Sequence, residues 1–567
     1  MAQVELILLT KEGTNWNVEE MKAREIQVTE LLGNYAIAVL EEIMVEEFLK
    51  SPNILYAELP VRVYTSVEFG RASSCISNRP TAPYVPSNLS GKGVLVGMID
   101  SGIDYAHPDF RNEDGTTRIV ALWDQSSSFG TPPEGYQLGT LFSKEQIDLA
   151  LREDVVSEQR RIVPEVDLSG HGTHVAGIAC GNGRASNGKY RGVAYESELL
   201  VVKLAEVRSE MVTVSGTARL MEAIDFCIRF AMERNQPLVL NLSYGTNEGA
   251  HNGKSLLETY INTVSRMAKC VICVGTGNEG VGRKHAGGIL KNRETVELEL
   301  AIEGTEQSLE LELWKNYPDE FLVEIESPSG RTSSFPFGEG EPVTAFGSSF
   351  LYSAWGKTVR LAEAELEGFW SSPTIYQNLA QFRLSITAFS ERLGVGIWKI
   401  RLIPEKIVKG DYDIWLLRGL ENSQSGFVIS SPFRTLTIPS TAENVISVGA
   451  YDVGNFQVAP FSGRGEAREL GRMKPDIVAP GVDIMSCAVG GGYTKKTGTS
   501  MATPFVTGGS ALLMQWGIVD SNDTFLYGEK LREYLLKGAE RLTSERYPNA
   551  ITGWGRLCVA DSFNKIK

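Results

Sequence analysis

Between about residues 92 and 280 the chain alternates short, uninterrupted apolar runs with segments of helical periodicity. The apolar runs include GVLVGMID, ELLVVKLA, LVLNLSYG and CVICVGTG, and LMEAIDFCIRFAMER is one of the helical segments. A strand that is apolar at every position is buried on both faces, which is typical of a parallel sheet covered by helices. Because NVISVGAYD and KPDIVAPG repeat the pattern after residue 432, we predict one α/β domain that is interrupted midway.

The segment that interrupts this domain, from about 291 to 431, has a different pattern, in which apolar and polar residues alternate with a period of two. VELELAI, SLELELW and EFLVEIE each place an apolar side chain at every second position, and Gly, Pro and Ser turns separate such runs. Alternation of this kind indicates antiparallel strands with one buried face. We therefore predict an inserted all-β domain, a jelly-roll-like sandwich, at 291–431.

The N-terminal region, residues 1–66, differs again, because its pattern predicts strand, helix, strand, helix and strand, from VELILLT through a polar stretch, YAIAVL and EEIMVEEFLKS to NILYAEL. A stretch rich in Ser, Pro and small residues follows and has the composition of a linker. The predicted organisation is therefore an α+β domain at 1–66, an α/β domain in two parts at 67–290 and 432–567, and the insert between them.

Composition excludes several classes of partner and location. A net charge of −15 argues against nucleic acid and anionic membranes, which attract basic surfaces. The N-terminus lacks the basic start of a signal peptide, and no apolar run approaches the ~20 residues that span a bilayer. Seven cysteines without a framework fit a reducing environment. We expect a cytoplasmic protein, or one retained in an internal compartment such as a spore.

Three motifs carry side chains that suit nucleophilic catalysis. Asp100 ends the apolar strand in VLVGMID, His171 lies between two glycines in LSGHGTHVAG, and Ser500 lies at the start of an apolar helix in TGTSMATPFVTGG. A serine becomes a nucleophile when an imidazole takes its proton, and a carboxylate orients that imidazole. Taken singly, each residue also suits a helix cap or a packing role. Together they predict a triad in the order Asp, His, Ser.

A fourth candidate catalytic residue, Asn278, lies in the glycine-flanked turn of VGTGNEG. Its side-chain N–H groups and the backbone N–H of Ser500 are suited to stabilise an oxyanion. His171 and His174 form an HxxH pair, but no third ligand stands at helical spacing, so we do not predict a metal there. The order of the triad also disfavours an esterase or lipase with a G-x-S-x-G elbow.

The blocks DSGIDYAHPDF, GHGTHVAGI, GTGNEG and GTSMATPFVTG resemble those of the subtilisin-like serine proteases, the subtilases of peptidase family S8. The resemblance implies a subtilisin-like three-layer fold. It also implies a serine endopeptidase in which Asp100, His171 and Ser500 are catalytic, and Asn278 and Ser500 form the oxyanion hole. It further implies that Ser243, Tyr244 and Gly245 bind substrate backbone and that Glu279 lies near the S1 pocket.

The resemblance also assigns residues 1–66 to a propeptide that assists folding and is removed by the enzyme itself. Whether the cleaved propeptide then dissociates or stays bound as an inhibitor is left open by the sequence. The expected cleavage region comprises Tyr64, Thr65, Ser66, Val67, Glu68 and Phe69. No cofactor is required. Family members often bind calcium through the aspartate of HPDF, here Asp109, but the loop GNGRASNGKYRG departs from the usual spacing.

A subtilase with a propeptide, an insert at this place and no signal peptide resembles the clostridial Csp spore-germination proteases. This implies a protein substrate, the pro-segment of a cortex-degrading hydrolase. The alternative is a regulatory binding protein or pseudoprotease of the same fold that acts through the β insert, whose acidic and aromatic side chains suit a partner.

Overall fold

The structure, a computed structural model, describes residues 3–14, 16, 21, 24–60, 64–65, 74–75, 88–205, 216–304, 306–338, 341–343, 354–373, 377–417, 424–466 and 473–566. These residues divide into two compact units. Unit 1 comprises Met1–Gly245, Leu256–Asn278 and Pro439–Lys567, and unit 2 comprises Thr246–Ser255 and Glu279–Ile438.

The helices of unit 1 are α1 (Val45–Leu49), α2 (Lys144–Ala150), α3 (Val156–Ile162), α4 (His171–Cys180), α5 (Gly216–Glu233), α6 (Leu256–Val264), α7 (Thr499–Met514), α8 (Gly528–Gly538) and α9 (Val559–Ile566). Its strands are β1 (Gln3–Thr10), β2 (Gln27–Leu31), β3 (Tyr35–Glu41), β4 (Ile54–Glu58), β5 (Tyr64–Thr65), β6 (Leu95–Asp100), β7 (Ile119–Asp124), β8 (Thr140–Ser143), β9 (Glu198–Lys203), β10 (Leu238–Leu242), β11 (Tyr244–Gly245), β12 (Cys270–Gly275), β25 (Ile446–Tyr451), β26 (Ile477–Pro480), β27 (Ile484–Cys487) and β28 (Tyr493–Lys496).

The strands of unit 2 are β13 (His285–Ile289), β14 (Val296–Ile302), β15 (Ser308–Asn316), β16 (Glu320–Glu326), β17 (Thr332–Phe335), β18 (Glu341–Val343), β19 (Ala354–Arg360), β20 (Ala364–Ser371), β21 (Leu379–Ala388), β22 (Gly396–Lys406), β23 (Asp411–Leu416) and β24 (Gly426–Phe427).

An eight-stranded sheet forms the centre of unit 1, in the order β26-β25-β12-β10-β6-β9-β7-β8. All neighbouring strands are parallel except the edge pair β7 and β8. Helices α4 and α7 pack against each other over one face, in a core that holds Val96, Val175 and Phe505, while α5 packs on the sheet through β6 and β10. The predicted three-layer α/β arrangement is confirmed.

The N-terminal part of unit 1 is a separate antiparallel sheet in the order β2-β3-β1-β4, with α1 between β3 and β4. This α+β element packs against α5 and α6. Leu6, Leu8 and Ala38 are among its fully buried side chains. The prediction of an α+β domain at the N-terminus is therefore confirmed.

Unit 2 is entirely antiparallel within its described strands. A seven-stranded sheet, β13-β23-β15-β21-β20-β19-β18, and a five-stranded sheet, β17-β16-β22-β14-β24, share one apolar core. The side chains that form this core are the apolar residues at every second position of the strands, such as Leu311, Val323 and Ile400. This confirms the inserted all-β domain, although the segment Thr246–Ser255, which also belongs to unit 2, follows no periodicity in the sequence.

A disulfide joins Cys75 to Cys558, across a sequence separation of 483 residues. The Cα atoms are 4.9 Å apart, and the backbone N–H of Val559 donates to the carbonyl of Ser74, 3.2 Å away. The expectation that the cysteines are all reduced is wrong for this pair, because pairing over such a distance leaves no pattern in the sequence. Five other cysteines, all buried, are free: Cys180, Cys227, Cys270, Cys273 and Cys487.

Among the described residues, every helix is too short or too polar to cross a membrane.

Candidate active site

The predicted site residues follow three neighbouring strands of the central sheet. Asp100 is the last residue of β6, Ser243 directly follows β10, and Asn278 stands three residues beyond the end of β12. Strand β10 pairs in parallel with both β6 and β12. Since the carboxyl ends of parallel strands meet at one edge of a sheet, the three residues share the edge at which α/β proteins place their active sites.

Asp100 and His171 form a buried pair. The Nδ1 atom of His171 lies 2.5 Å from Oδ1 of Asp100, and both side chains are within 1% of complete burial. The same Oδ1 accepts the backbone N–H of Ser101 at 2.8 Å, which fixes the carboxylate at the strand end. A carboxylate at Nδ1 selects the tautomer whose Nε2 carries no hydrogen and can accept a proton, the arrangement that a general base needs.

Glycine at position 172 allows the His171 helix to approach the end of β6. A Cβ atom on Gly172 would lie 3.0 Å from Cβ of Asp100 and much closer still to the carbonyl of Gly102. Any larger residue would therefore push the start of α4 away from Asp100. The residue that precedes His171, Gly170, has φ of +64°, a conformation that glycine adopts without strain.

A second buried carboxylate, Asp167, lies at the start of α4, and the sequence analysis missed it. Its Oδ1 accepts from Ser101 Oγ at 2.8 Å and Gly170 N at 3.0 Å, and its Oδ2 accepts from Thr173 N at 2.8 Å. An aspartate close before a helix is a common signal of a helix N-terminus, and DLSGHG contains one, three residues before the N-cap Gly170. The signal is common to many helices, so it did not single out this residue.

Ser500 is the second residue of α7 and is buried. Its Oγ is 3.5 Å from the carbonyl oxygen of Ser243, and Ser243 Oγ in turn donates to the carbonyl of Ser500 at 3.4 Å. That carbonyl lacks the usual partner four residues on, because Pro504 has no N–H. The N-terminus of α7 carries the positive end of the helix dipole, which favours a developing anion near Ser500.

Asn278 is held by the first residue of the same helix. Its Oδ1 accepts from the N–H of Thr499 at 3.1 Å and from the hydroxyl of Thr499 at 3.3 Å. Because the amide oxygen is used in this way, the Nδ2 group keeps its two N–H bonds for another acceptor. The arrangement places an amide donor next to the residue that precedes Ser500, as an oxyanion site requires.

The predicted substrate strand pairs with the end of the N-terminal region. Tyr244 and Gly245 form β11, which pairs antiparallel with β5, in the register Tyr244 with Thr65 and Gly245 with Tyr64. The other predicted cleavage residues, Ser66, Val67, Glu68 and Phe69, lie outside the described residues. Glu279, predicted near the S1 pocket, is the first residue of the second segment of unit 2.

Asp109 does not offer a calcium site. Its oxygens accept from Ala185 N at 2.9 Å, Tyr493 OH at 2.9 and 3.0 Å and Cys487 Sγ at 3.5 Å, and the residue is fully buried. Among the described His, Cys, Asp and Glu side chains, those of His107 and Cys487 are close enough to share a metal ion with Asp109. Calcium takes six to eight oxygen ligands, which this nitrogen, sulfur and single-carboxylate set does not supply. The residues present therefore do not fit the ion.

His174 lies one turn along α4 and packs against the β27–β28 hairpin. Its Nε2 is 3.0 Å from the carbonyl of Ile484 and 3.2 Å from that of Thr494. Burial lowers the pKa of His174 to about 3, with the positive charge of Lys496 acting in the same direction. A buried imidazole that bonds to backbone in this way has a packing role in the histidine helix.

Comparison with known proteins adds two matches to family models. Residues 91–321 and 422–555 match the subtilase family, and residues 2–61 match the prodomain of Csp protease B. A solved structure of the CspB protease of Clostridium perfringens is similar to this chain, with a TM-score of 0.74 and 37% identity. The match covers 84% of this chain and 94% of that one.

More distant relatives include other bacterial proteases. The PI-type proteinase of Lactococcus lactis subsp. cremoris is 23% identical over 486 residues, which cover 78% of this chain. The serine protease AprX of Bacillus subtilis is 26% identical over 231 residues, or 40% of each chain. The chain spans only 23% of the length of the PI-type proteinase.

Proposed function

The chain belongs to the subtilase family of serine endopeptidases, and on that premise we propose that it removes its own prodomain and then cleaves a protein substrate. The observation that carries the proposal is the buried pair of Asp100 and His171 at the sheet edge that also bears Ser243 and Asn278.

In the first half of the reaction the Ser500 Oγ attacks the carbonyl carbon of the scissile peptide. The Oγ–H proton passes to Nε2 of His171, and Asp100 stabilises the imidazolium through Nδ1. The tetrahedral intermediate collapses when the C–N bond breaks and His171 returns the proton to the leaving amine. Water then repeats the sequence on the acyl-enzyme, again with His171 as base and acid.

Negative charge on the substrate oxygen is received by Asn278 and by the backbone N–H of Ser500. The Thr499 contacts hold the Asn278 amide by its oxygen, so that Nδ2 is the end available to an oxyanion. One such donor is worth roughly 100- to 1000-fold in rate, a figure that comes from subtilisin, a member of this family.

The first substrate is the chain itself. Strand β5 pairs with β11 as a substrate backbone would, and Ser243, which precedes β11, accepts from Ser500 Oγ. The register advances from Gly245 toward Ser243 as the chain runs from Tyr64 to Thr65, and the next residue in the sequence is Ser66. We therefore assign the scissile bond to Ser66–Val67.

Contacts between the N-terminal domain and helices α5 and α6 support retention of the cleaved prodomain as an inhibitor. Leu32 N donates to Asp225 Oδ1 at 2.8 Å, and Leu256 N donates to Glu58 Oε1 at 3.0 Å. The rings of Tyr35 and Tyr260 meet edge to face at 5.2 Å. None of these contacts involves the bond that is cut, so they persist after cleavage.

The physiological substrate we propose is the pro-segment of a spore cortex hydrolase, cleaved during germination. Support comes from the prodomain match to Csp protease B and from the similarity to the Clostridium perfringens CspB protease. This finer assignment rests on likeness to those proteins alone.

The test compares the wild-type protein with Ser500→Ala by intact mass and N-terminal sequencing. We expect wild type to yield a new N-terminus at Val67 and to react with a fluorophosphonate, while Ser500→Ala stays full length and unlabelled. Ser510→Ala is a matched control, since Ser510 is a buried serine of the same helix that bonds to Val506 within it and to Cys273. A wild-type protein that neither processes nor labels would favour the alternative, a binding protein of the same fold.

A further inference from the structure

The carboxylate of Asp167 accepts hydrogen bonds from several groups near the start of α4, the helix that bears His171. Besides Ser101 Oγ, Gly170 N and Thr173 N, it accepts from Ser169 Oγ at 3.3 Å and from Thr173 Oγ1 at 2.7 Å. The residue is 2% exposed, so these bonds are screened little by water. Five donors on one buried carboxylate fix its position.

Ser101 joins this carboxylate to the strand that bears Asp100. Its Oγ donates to Asp167, accepts from Gly172 N at 3.0 Å and also bonds with Ser169 Oγ at 2.9 Å. Ser101 directly follows Asp100, and Gly172 directly follows His171. The hydroxyl of Ser101, the residue after Asp100, therefore accepts from Gly172, the residue after His171, and donates to Asp167.

The negative charge of Asp167 lies near the N-terminus of α4, where the helix dipole has its positive end. The N-terminus of α4 carries a partial positive charge, which disfavours the imidazolium that forms at His171 during the reaction. A carboxylate bonded to Gly170 N and Thr173 N, on either side of His171, offsets that charge. Other charged or titratable groups among the described residues around this turn are Asp100, Asp104, Glu165, His174, Lys203 and Lys496.

We propose that Asp167 is a positioning residue for catalysis, which sets the orientation of His171 against Asp100 and supplies part of the negative charge that stabilises its imidazolium. The proposal rests on the proposed function, because it assigns a role within the same protease reaction. The two groups differ in their effect. The Ser101 hydroxyl affects only the position of His171, whereas the Asp167 carboxylate affects that position and also, through its charge, the stability of the imidazolium.

The experiment measures hydrolysis of a Tyr-Thr-Ser peptide with a chromogenic leaving group across pH, for wild type, Asp167→Asn and Ser101→Ala. With Asp167→Asn we expect kcat to fall about 10- to 100-fold and the acid limb of the pH profile to move to lower pH by about half a unit to one unit. The limb moves in this direction because loss of an anion favours the neutral imidazole. Ser101→Ala lowers kcat without moving the limb, since the carboxylate remains.

Rates are normalised to the active sites that a fluorophosphonate titrates, so that a partly unfolded variant still reports on its folded fraction. The matched control is Ser143→Ala, which removes the cap of α2, a helix that holds none of the site residues. It should lower thermal stability and leave the profile unchanged. An acid limb that stays in place in Asp167→Asn overturns the proposal, whereas an inactive wild type would overturn the proposed function instead.

Discussion

The helix that bears His171 approaches the strand that bears Asp100 so closely that a Cβ atom on Gly172 would overlap the carbonyl oxygen of Gly102. The same added atom would lie 3.2 Å from Oδ1 of Asp100, the oxygen that His171 contacts. The 2.5 Å separation within the Asp–His pair therefore depends on a residue without a side chain.

Gly172→Ala tests this dependence. The added methyl group displaces the start of α4, and a misplacement of about 1 Å at a catalytic group costs on the order of 100-fold in rate. We expect kcat for a Tyr-Thr-Ser chromogenic peptide to fall by at least that factor. Gly492→Ala is the control, because no atom lies within 4 Å of a Cβ at that position. Equal activity in the two variants would contradict the dependence on close approach.

Asn278→Ala should lower kcat about 100- to 1000-fold with KM nearly unchanged, because the amide donates to charge that develops only in the transition state. Asn278→Asp keeps an oxygen for the Thr499 contacts and removes the N–H donors. We therefore expect it to be at least as slow as the alanine variant while keeping wild-type thermal stability. Recovery of activity in Asn278→Asp would show that the Thr499 contact, not the donor, matters.

The sequence predicted the parts of the site that depend on local pattern. Asp100 ends an apolar strand, and Ser500 stands at a helix start, so periodicity placed both of them. It also predicted the parallel sheet and the β insert, because burial on two faces or one face leaves different patterns of apolar residues.

Features that depend on long-range contacts were missed. The bond from Thr499 to Asn278 spans 221 residues and the disulfide spans 483. Asp167 carries only a common capping signal, and its importance comes from Ser101, which lies 66 residues earlier. Pro504 is the sixth residue of its helix and has no N–H for the carbonyl of Ser500, and the hydroxyl of Ser243 compensates by donating to that carbonyl.

Proline substitutions at Tyr64 and Thr65 test the pairing of the prodomain end with β11. Residues along an antiparallel pair alternate between hydrogen-bonded and non-hydrogen-bonded positions. One of the two substitutions therefore removes a ladder N–H and the other does not. We expect one proline variant to stop autoprocessing and the other to slow it less, as read from the ratio of full-length to processed protein. Equal processing in both variants would show that strand pairing does not present the bond.

Removal of the Cys75–Cys558 disulfide should destabilise the processed enzyme. A link across so long a loop restricts the unfolded chain, and loss of such a bond typically costs about 2–4 kcal/mol of unfolding free energy. We expect Cys558→Ser to lower Tm by several degrees and to abolish the response of Tm to a thiol reductant. The five free cysteines are buried and should contribute nothing to that response. A reductant that leaves the wild-type Tm unchanged would contradict the link.

Glu58 should make the attachment of the prodomain depend on pH. Its Oε1 accepts from the first N–H of α6, and burial raises the pKa of this carboxyl from 4.5 to about 8, with the charge of Glu258 adding to the effect. A carboxyl whose pKa is raised in the assembled state binds a proton more readily there than in the free prodomain. The attachment is therefore strongest below about pH 4.5 and weakens as the pH rises through 8.

The measurement compares Ser500→Ala with Ser500→Ala/Glu58→Gln, in which the chain stays intact and a neutral amide still accepts from Leu256. We expect Tm of the first protein to fall relative to that of the second between about pH 5 and pH 8, since only the carboxyl must lose its proton over that range. Glu46→Gln in the same background is the control, because Glu46 pairs with Lys50 on the exposed face of the domain. Parallel pH profiles for the single variant and the Glu58→Gln double variant would show that this carboxyl titrates freely.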